Sequence, residues 1–315
     1  MPPITMTGGM KFVGGMELSY PYMLPSYGIF GYGISGSSVY VSTTNKVSFT
    51  GVVAADTTGV GTAKYALAAC GYGYDKGMFG YGTTDAGLPA SKSNLVSNTG
   101  TVATDTTISG TSRYLLAACG YGYDKGIFGY GLTNTYVSMT NLVSNAGVVA
   151  TDTTGVGTSR YGPAACGYGT NKGIFGYGYN GTSGYVSMTN LVSDTGVVAT
   201  DTTGVGTSRG FLAACSYGSD KGIFGYGSTA SNYLSITNLI SNTGVVATDT
   251  TGVGTGRYVL AACSYGNDKG IFGYGRDTPS TAVSITNLVS NTGVVATDTT
   301  GVGTQRAGLA ACSYG

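Results

Sequence analysis

Histidine and tryptophan are absent from this chain of 315 residues, and glutamate occurs only once, as Glu17. Without histidine, the side chain that most often acts as a general base or metal ligand near neutral pH is missing. A hydrolytic pair of carboxylates would need aspartates outside the repeated positions, where the candidates are Asp85, Asp194 and Asp277. We therefore predict that the protein is not an enzyme and has no catalytic residues.

Charge is also scarce. Asp, Glu, Lys and Arg make up 9% of the residues, whereas about 25% is usual in soluble domains. Fifteen basic and fourteen acidic residues leave a net charge of +1, which gives no electrostatic footprint for nucleic acid. No apolar run approaches the roughly 18 residues of a membrane span, and the N-terminal stretch MPPITMTGGMKF lacks the pattern of a secretory signal. The expected partners include neither nucleic acid nor an inserted membrane.

Glycine and tyrosine are abundant instead, with 56 and 26 residues, and 42% of the chain is hydrophobic. Glycine is a poor helix former and tyrosine favours strands. The apolar fraction is sufficient to bury a core, so disorder is not expected. This composition predicts an all-β fold.

Six internal repeats of about 48 residues organise the chain. Each repeat contains the tripeptide Ala-Ala-Cys, the motif (I/M)FGYG, an A-x-D-T-T segment and a basic residue eight positions after that aspartate. One repeat divides at glycine- and Asn/Asp-rich turns into four candidate strands: YLLAAC, GIFGYG, YVSMTNLVS and GVVATDTT. Four short antiparallel strands per repeat are typical of a β-propeller blade. A β-solenoid is the alternative.

The two ends of the repeat region complement each other, and this favours the propeller. Residues 28–33 supply a second strand without a first, and residues 307–315 supply a first strand without a second. Pairing of these ends would leave no ragged sheet edge. We predict a six-bladed β-propeller over residues 26–315, closed by its N- and C-terminal strands, and a separate N-terminal arm over residues 1–25.

The repeated polar and sulfur-containing residues are predicted to be structural. One cysteine per inner strand predicts free buried thiols, because equivalent strands of a ring should hold their Cα atoms too far apart for disulfides. Without histidine or Cys-x-x-Cys, no metal site is expected. Each repeated aspartate is predicted to pair across a turn with the arginine eight residues later: Asp152 with Arg160, Asp201 with Arg209, and Asp249 with Arg257. The glycine-rich segments match no phosphate-binding motif, so no cofactor is expected.

The segments between the second and third strands differ from repeat to repeat, while the sequence around them is nearly constant. Variable loops on a constant scaffold are the usual place for a binding surface. Tyrosine and asparagine side chains there suit contacts with carbohydrate or protein. The candidate binding residues are Tyr136, Tyr179, Asn180, Tyr185, Asn232 and Tyr233. Drift in unconstrained loops is the alternative explanation of the variation.

Two resemblances add to this interpretation. A basic residue, a small apolar strand, a short turn and a strand ending in glycines resemble Kelch-type propeller repeats, although this chain has GYG and no tryptophan where Kelch units carry a double glycine and a later tryptophan. The phrases NLVSNTGVVATDTTGVGTSR and AACGYGxDKGIFGYG resemble tandem-repeat structural proteins of tailed bacteriophages, including cyanophages, over residues 28–315.

The second resemblance implies a non-enzymatic virion structural protein, tail- or capsid-associated, which is assembled in the host cytoplasm and located on the virion. Residues 1–25, which hold five methionines, would attach it to other virion proteins, and the propeller would contact a glycan or protein of the host surface. A glycan-binding propeller lectin is the alternative. A lectin should repeat its sugar contacts in every blade, whereas these loops are the least repeated parts of the chain.

Overall fold

The computed structural model describes residues 26–315, so the predicted arm lies outside the described residues. The described part consists of short strands and turns, which confirms the all-β prediction. The strands are β1 (Tyr27–Gly31), β2 (Ile34–Ser35), β3 (Thr44–Val47), β4 (Ala68–Tyr72), β5 (Lys76–Gly80), β6 (Lys92–Val96), β7 (Thr106–Thr107), β8 (Ala117–Tyr121), β9 (Lys125–Gly129), β10 (Thr140–Val143), β11 (Ala164–Tyr168), β12 (Lys172–Tyr179), β13 (Tyr185–Val192), β14 (Ala213–Tyr217), β15 (Lys221–Gly225), β16 (Thr237–Ile240), β17 (Ala261–Tyr265), β18 (Lys269–Gly273), β19 (Thr286–Val289), β20 (Arg306–Ala307) and β21 (Ala310–Tyr314).

Six antiparallel sheets of three or four strands repeat one arrangement. In each, an inner strand with Ala-Ala-Cys pairs with a central strand that contains Phe-Gly, and the central strand pairs with an outer strand. We number them sheet 1 (β21-β1-β3), sheet 2 (β4-β5-β6-β7), sheet 3 (β8-β9-β10), sheet 4 (β11-β12-β13), sheet 5 (β14-β15-β16) and sheet 6 (β17-β18-β19). The short strands β2 and β20 form a further pair.

Sheet 1 joins the two ends of the repeat region. Strand β1 pairs with β21 in a register that runs from Tyr27 opposite Tyr314 to Gly31 opposite Ala310. The predicted pairing of residues 28–33 with residues 307–315 is therefore present. It gives sheet 1 the same inner, central and outer strands as the other sheets.

The inner strands contact one another in a cyclic order, β4, β8, β11, β14, β17, β21 and again β4. Two sets of backbone hydrogen bonds follow the same cycle. In one set, the residue two positions after each repeated basic residue donates its N–H to the equivalent carbonyl of the preceding repeat, through Ala66, Leu115, Gly162, Phe211, Val259, Gly308 and back to Ala66. In the other set, the glycine that directly follows each inner strand donates its N–H to a backbone carbonyl of the following sheet. The pairs are Gly73 to Asp124, Gly122 to Asn171, Gly169 to Asp220, Gly218 to Asp268, Gly266 to Ser26 and Gly315 to Asp75.

Neighbouring sheets pack through a phenylalanine on one central strand and a glycine on the previous one. A Cβ atom added to Gly129 would lie 2.8 Å from Cζ of Phe175, and Phe175 has no exposed surface. The same contact occurs at all six junctions: Gly31 with Phe79, Gly80 with Phe128, Gly129 with Phe175, Gly176 with Phe224, Gly225 with Phe272, and Gly273 with Phe30. In each Phe-Gly motif, the phenylalanine thus packs against the glycine of the preceding sheet, and the glycine leaves room for the phenylalanine of the following sheet.

The six cysteines are free and buried, as predicted. Each thiol lies beside a glycine of the following sheet, so that a Cβ atom added to Gly173 would lie 2.6 Å from Sγ of Cys119. Burial raises the pKa of Cys119 to about 12. These cysteines act as small apolar residues of the core.

The predicted fourth strand is present as an extended segment in sheet 2 only, as β7. In sheet 3, the segment touches the outer strand at two isolated bridges, Thr140 with Thr153 and Val143 with Val149. Between these bridges, the side-chain amide of Asn141 donates to the carbonyl of Ala150 at 3.0 Å. Two residues separate the bridged positions on the outer strand and three separate them on the returning segment, so the register changes between the bridges. The prediction of a regular fourth strand in every sheet was therefore wrong.

The glycine at the sheet junction generates a prediction about stability. Gly129→Ala should lower the free energy of unfolding by about 1–3 kcal/mol, because the new methyl group overlaps the buried ring of Phe175. The matched control is Gly36→Ala, where an added Cβ meets no atom within 4 Å. Urea unfolding of both variants measures the difference. Equal stability of Gly129→Ala and the wild type would contradict the packing described for this junction.

The buried thiols generate a second prediction. In the native protein at pH 8, a thiol reagent should label the six cysteines at least tenfold more slowly than in denaturant, because their pKa values are raised and their sulfur atoms are inaccessible. Time-resolved labelling followed by mass spectrometry measures this. Rapid labelling of several cysteines in the folded protein would place them outside the core.

Candidate binding surface

The connections between strands lie on two opposite faces, because successive antiparallel strands reverse direction. One face carries two kinds of turn: those that join inner to central strands, and those that follow the outer strands. They lie close together, because a Cβ atom added to Gly73 in an inner-to-central turn would lie 2.9 Å from the carbonyl oxygen of Asn145 in a turn after an outer strand. We call this the turn face. The other face, the loop face, carries the variable segments and the crossovers to the next sheet.

Four tyrosines from sheets 3 and 4 form a cluster on the loop face. The rings of Tyr136 and Tyr161 stack with centroids 5.3 Å apart and an interplanar angle of 13°. Tyr161 lies 5.5 Å from Tyr179, which in turn lies 5.2 Å from Tyr185. Three predicted binding residues, Tyr136, Tyr179 and Tyr185, are thus brought together, although they come from two repeats.

The cluster continues toward sheets 5 and 6. Tyr161 contacts Phe211 at 5.5 Å, and Phe211 contacts Tyr258 at 6.4 Å. Tyr258 stacks on the predicted binding residue Tyr233 at 4.6 Å with an angle of 9°. We call these seven residues the aromatic strip: Tyr136, Tyr161, Tyr179, Tyr185, Phe211, Tyr233 and Tyr258.

Three members of the strip were not predicted. Tyr161 and Tyr258 directly follow the repeated arginine, and Phe211 follows it by two positions. They lie in a segment that was interpreted as scaffold because its surroundings repeat. A signal was present, since tyrosine follows the basic residue in four of the six repeats: Tyr65, Tyr114, Tyr161 and Tyr258.

The backbone conformation positions Phe211 in the middle of the strip. Phe211 and Val259 adopt the left-handed conformation, with φ of 57° and 47°, and both belong to the cyclic set of hydrogen bonds. Such a conformation costs on the order of 1–3 kcal/mol for a residue with a side chain. Backbone hydrogen bonds of 2.8 Å to Gly162 and from Val259 stabilise this conformation of Phe211, which places its ring between Tyr161 and Tyr258.

The two predicted asparagines lie in loops next to members of the strip, since Asn180 follows Tyr179 and Asn232 precedes Tyr233. Oδ1 of Asn180 accepts a hydrogen bond at 2.8 Å from the N–H of Ser183 and so shapes its own turn. The N–H of Asn232 donates at 3.1 Å to Oγ1 of Thr229, and the residue is exposed. The structure therefore places Asn180 as a turn residue and Asn232 at a loop tip.

The predicted ion pairs have different partners from those expected. Four of the five arginines pair with the aspartate about forty residues later, at the other end of the same sheet, and not with the aspartate eight residues earlier. Arg306 makes the equivalent pair with Asp56, because sheet 1 combines the two ends of the repeat region. The shortest distances are 4.0 Å for Arg113–Asp152, 3.8 Å for Arg160–Asp201 and for Arg209–Asp249, 3.7 Å for Arg257–Asp298 and 3.5 Å for Arg306–Asp56. The prediction failed because it assumed that residues close in sequence would face each other across a turn.

Arg160 shows how the buried guanidinium is held. Its side chain has no exposed surface. Nε donates to the carbonyl of Tyr177 at 2.8 Å, and Nη2 donates to Oδ1 of Asn190 at 2.6 Å. Its guanidinium carbon lies 4.1 Å from the ring centroid of Tyr130, which belongs to the preceding sheet. Hydrogen bonds within one sheet and a cation–π contact to another are thereby combined in a single side chain.

The aspartates hold the crossovers between sheets. Asp201 accepts hydrogen bonds at 2.6 Å from the hydroxyl of Thr158, which lies in the crossover from sheet 3, and at 2.9 Å from the side-chain amide of Asn190. Burial raises the pKa of Asp201, but these hydrogen bonds, with those from the backbone of Thr158 and the charge of Arg160, lower it below its usual value overall.

Sheet 2 achieves the same result with different residues. Lys64 replaces the arginine and is buried, with Nζ donating to Oδ1 of Asn94 at 2.7 Å. A second lysine, Lys92, pairs with Asp105 at 3.1 Å. In sheet 2, two lysines thus make the contacts with the asparagine and the aspartate that a single arginine makes in other sheets.

No family model matches the chain, and no curated protein matches it either. Residues 26–315 contain no group of three or more Cys, Asp or Glu side chains placed to hold a metal ion. In the same residues there is no helix long and apolar enough to cross a membrane.

The aspartates generate a prediction about pH. A carboxyl whose pKa is lowered in the folded protein adds stability above its unfolded pKa, and this stability is lost as the pH falls through the folded value. The free energy of unfolding should therefore be nearly constant from about pH 7 to 5 and decrease below about pH 4. At pH 7, Asp201→Asn should have a lower free energy of unfolding than the wild type. The difference between the two free energies should become smaller as the pH falls, because Asp201 of the wild type becomes protonated.

The control is Asp85→Asn, in an exposed variable segment, which should follow the wild-type curve. Urea unfolding at each pH provides the measurement. A constant difference between Asp201→Asn and the wild type from pH 7 to 3 would show that the charge of Asp201 is not what stabilises the crossover.

Proposed function

We propose that the chain is a six-bladed β-propeller in which each of the six sheets is one blade. The cyclic contacts of the inner strands, the two cyclic sets of backbone hydrogen bonds and the pairing of β1 with β21 support this arrangement. The six equivalent Phe-Gly junctions support it further, because they relate sheet 6 to sheet 1 in the same way as every other pair.

The propeller acts as a non-enzymatic binding module of a virus particle, and its loop face docks a protein of the host surface. The aromatic strip carries this proposal. It presents seven aromatic side chains from four sheets, among loops of Ser, Thr, Asn and Gly. Tyrosines among small polar residues are the composition of antibody paratopes, because a tyrosine offers a large contact area with few rotatable bonds.

Residues 1–25 attach the propeller to other virion proteins. In the described structure, Ser26 lies on the turn face, where the N–H of Gly266 donates to its carbonyl at 2.9 Å and its own N–H donates to Asn267 at 3.2 Å. The segment is therefore connected to the face opposite the aromatic strip. This separation would leave the loop face free for the host.

A location on the tail or capsid is supported by the resemblance of the repeated phrases to structural proteins of tailed bacteriophages. Mass spectrometry of purified particles from cells infected with the virus that encodes the chain tests it directly. The chain should be present in a fixed number of copies per particle. Its recovery only from the soluble lysate would contradict a virion location.

Binding of the fluorescent full-length chain to host cells tests the loop face. The double variant Y136A/Y233A should bind at least tenfold more weakly, because it removes both predicted tyrosines that stack on scaffold tyrosines. The control is Val197→Thr on the turn face, where the valine is 65% exposed and Thr101 holds the equivalent place in the second repeat. This control should bind normally, and both variants should melt near the wild type.

Treatment of the cells separates the two classes of partner. Protease should abolish binding, and periodate oxidation of surface glycans should leave it. The reverse result would make the loop face a lectin surface. Normal binding by Y136A/Y233A would exclude the aromatic strip as the contact.

A further inference from the structure

The inner strands differ at one position, the residue after each repeated cysteine. Sheets 2, 3 and 4 have glycine there, and sheets 5, 6 and 1 have serine: Gly71, Gly120, Gly167, Ser216, Ser264 and Ser313. All six residues are partly exposed, between inner strands that contact one another. One half of the ring therefore carries hydroxyl groups and the other half does not.

The serine hydroxyls form hydrogen bonds with backbone groups at the free edge of the neighbouring inner strands. Oγ of Ser313 donates to the carbonyl of Ser264 at 2.8 Å and accepts from the N–H of Ser264 at 3.1 Å. Oγ of Ser264 donates to Ser216 at 3.0 Å, and Oγ of Ser216 donates to Gly167 at 2.9 Å. Each hydroxyl thus occupies the edge of the preceding inner strand.

On the glycine half this hydroxyl is missing. By the same pattern, the carbonyl groups of three residues should accept a hydrogen bond from the next inner strand: Ser313 from Gly71, Gly71 from Gly120, and Gly120 from Gly167. These three glycines have no side chain that could donate. Within residues 26–315, no side chain donates to these three carbonyls. Because these residues are partly exposed, their carbonyl groups are open to water or to a ligand that donates a hydrogen bond.

A cavity of about 260 Å³ opens at this place on the turn face. Gly71, Gly120 and Ser313 line it, together with Tyr74 and Tyr123. A neighbouring cavity of about 160 Å³ shares Gly120 and Tyr123 and extends to Gly167. The two volumes adjoin at Gly120 and Tyr123 and form one groove, which runs past the three inner-strand glycines and ends at Ser313 on one side and Ser216 on the other.

The tyrosines that border this groove are also specific to it. Tyr74 and Tyr123 lie at the turn tips of sheets 2 and 3 and are 68% and 55% exposed. The equivalent tips carry Thr170, Ser219 and Asn267, with nearly the same positive φ. Two of the three sheets with glycine on the inner strand therefore also carry tyrosine at the tip, and the third, sheet 4, carries Thr170.

The two lysines that line the larger cavity are each paired with a carboxylate. Lys76 pairs with Asp75 at 2.7 Å, and Lys125 pairs with Asp124 at 2.9 Å. Neither lysine is left as an isolated cation for an anionic ligand. Lys172 lines the smaller cavity and makes no ion pair among residues 26–315. The larger cavity is therefore the part of the groove that suits a neutral ligand with hydroxyl groups.

We propose that the groove between Gly71, Gly120 and Ser313, bordered by Tyr74 and Tyr123, binds a neutral saccharide on the turn face. A sugar hydroxyl donates and accepts at once, as each serine hydroxyl does in the other half of the ring. The apolar side of the sugar ring lies against the tyrosines, whose hydroxyls stay in water. The cavity is smaller than pockets for drug-sized ligands, so it takes one or two sugar rings. This site is separate from the aromatic strip.

Saturation-transfer NMR on the full-length chain tests the proposal, with D-glucose, D-galactose, D-mannose and N-acetyl-D-glucosamine as probes. At least one probe should receive saturation from the protein. The double variant G71S/G120S should weaken its binding at least tenfold, because it restores the hydroxyls of the other half. The added side chains fit, since the nearest atom to a Cβ at either position lies 3.6 Å away.

Two further variants complete the test. Tyr123→Ser should also weaken binding at least tenfold without backbone strain, because Ser219 has φ of 69° where Tyr123 has 70°. The control Ser264→Gly, on the opposite half, should leave binding unchanged. Absence of transfer to all four probes, equal binding by G71S/G120S, or loss of binding in Y136A/Y233A would each overturn the site.

Discussion

Burial of a guanidinium group between adjacent sheets is the constraint on which the rest of the structure depends. A charge taken out of water must be matched by partners, or the folded state loses several kcal/mol. Arg160 has a carbonyl, an amide oxygen, a carboxylate and an aromatic ring as partners, and the ring of Tyr130 belongs to the preceding sheet. Neither sheet can move relative to the other without exposing or separating some of these groups.

The GYG motif depends on this arrangement. Tyr130 places its ring under Arg160 only because it leaves its strand with φ of 63°, and the following Gly131 then donates to the carbonyl of Arg160 at 3.0 Å. Its hydroxyl reaches the carbonyl of Val156 in the crossover at 3.2 Å. The unfavourable conformation of a buried tyrosine is therefore offset by three separate contacts with the next sheet and its crossover.

Sequence periodicity predicted the features that depend on position within a repeat, such as the inner strands, the buried cysteines and the pairing of residues 28–33 with residues 307–315. It could not predict the partners of Arg160, because Asp201 is distant in sequence and close only after the sheet forms. Nor could it predict that the segment after the outer strand would pair at isolated bridges with a change of register, because the alternation of residues along that segment gives no sign of the extra residue. Phe211 was missed because its neighbours along the chain are scaffold residues.

The departures from the sixfold pattern are informative because the pattern itself is so tightly constrained by packing. At the Phe-Gly junctions a single methyl group would overlap a ring, and these positions are the same in all repeats. The serine-to-glycine difference on the inner strands carries no such constraint, because an added Cβ at Gly120 meets nothing closer than 3.6 Å. A glycine where serine fits, and where serine would satisfy an exposed backbone edge, needs a reason other than packing. A ligand that supplies the missing hydroxyl is such a reason, and the tyrosines at the tips of two of the three glycine-bearing sheets provide the surface against which that ligand would lie.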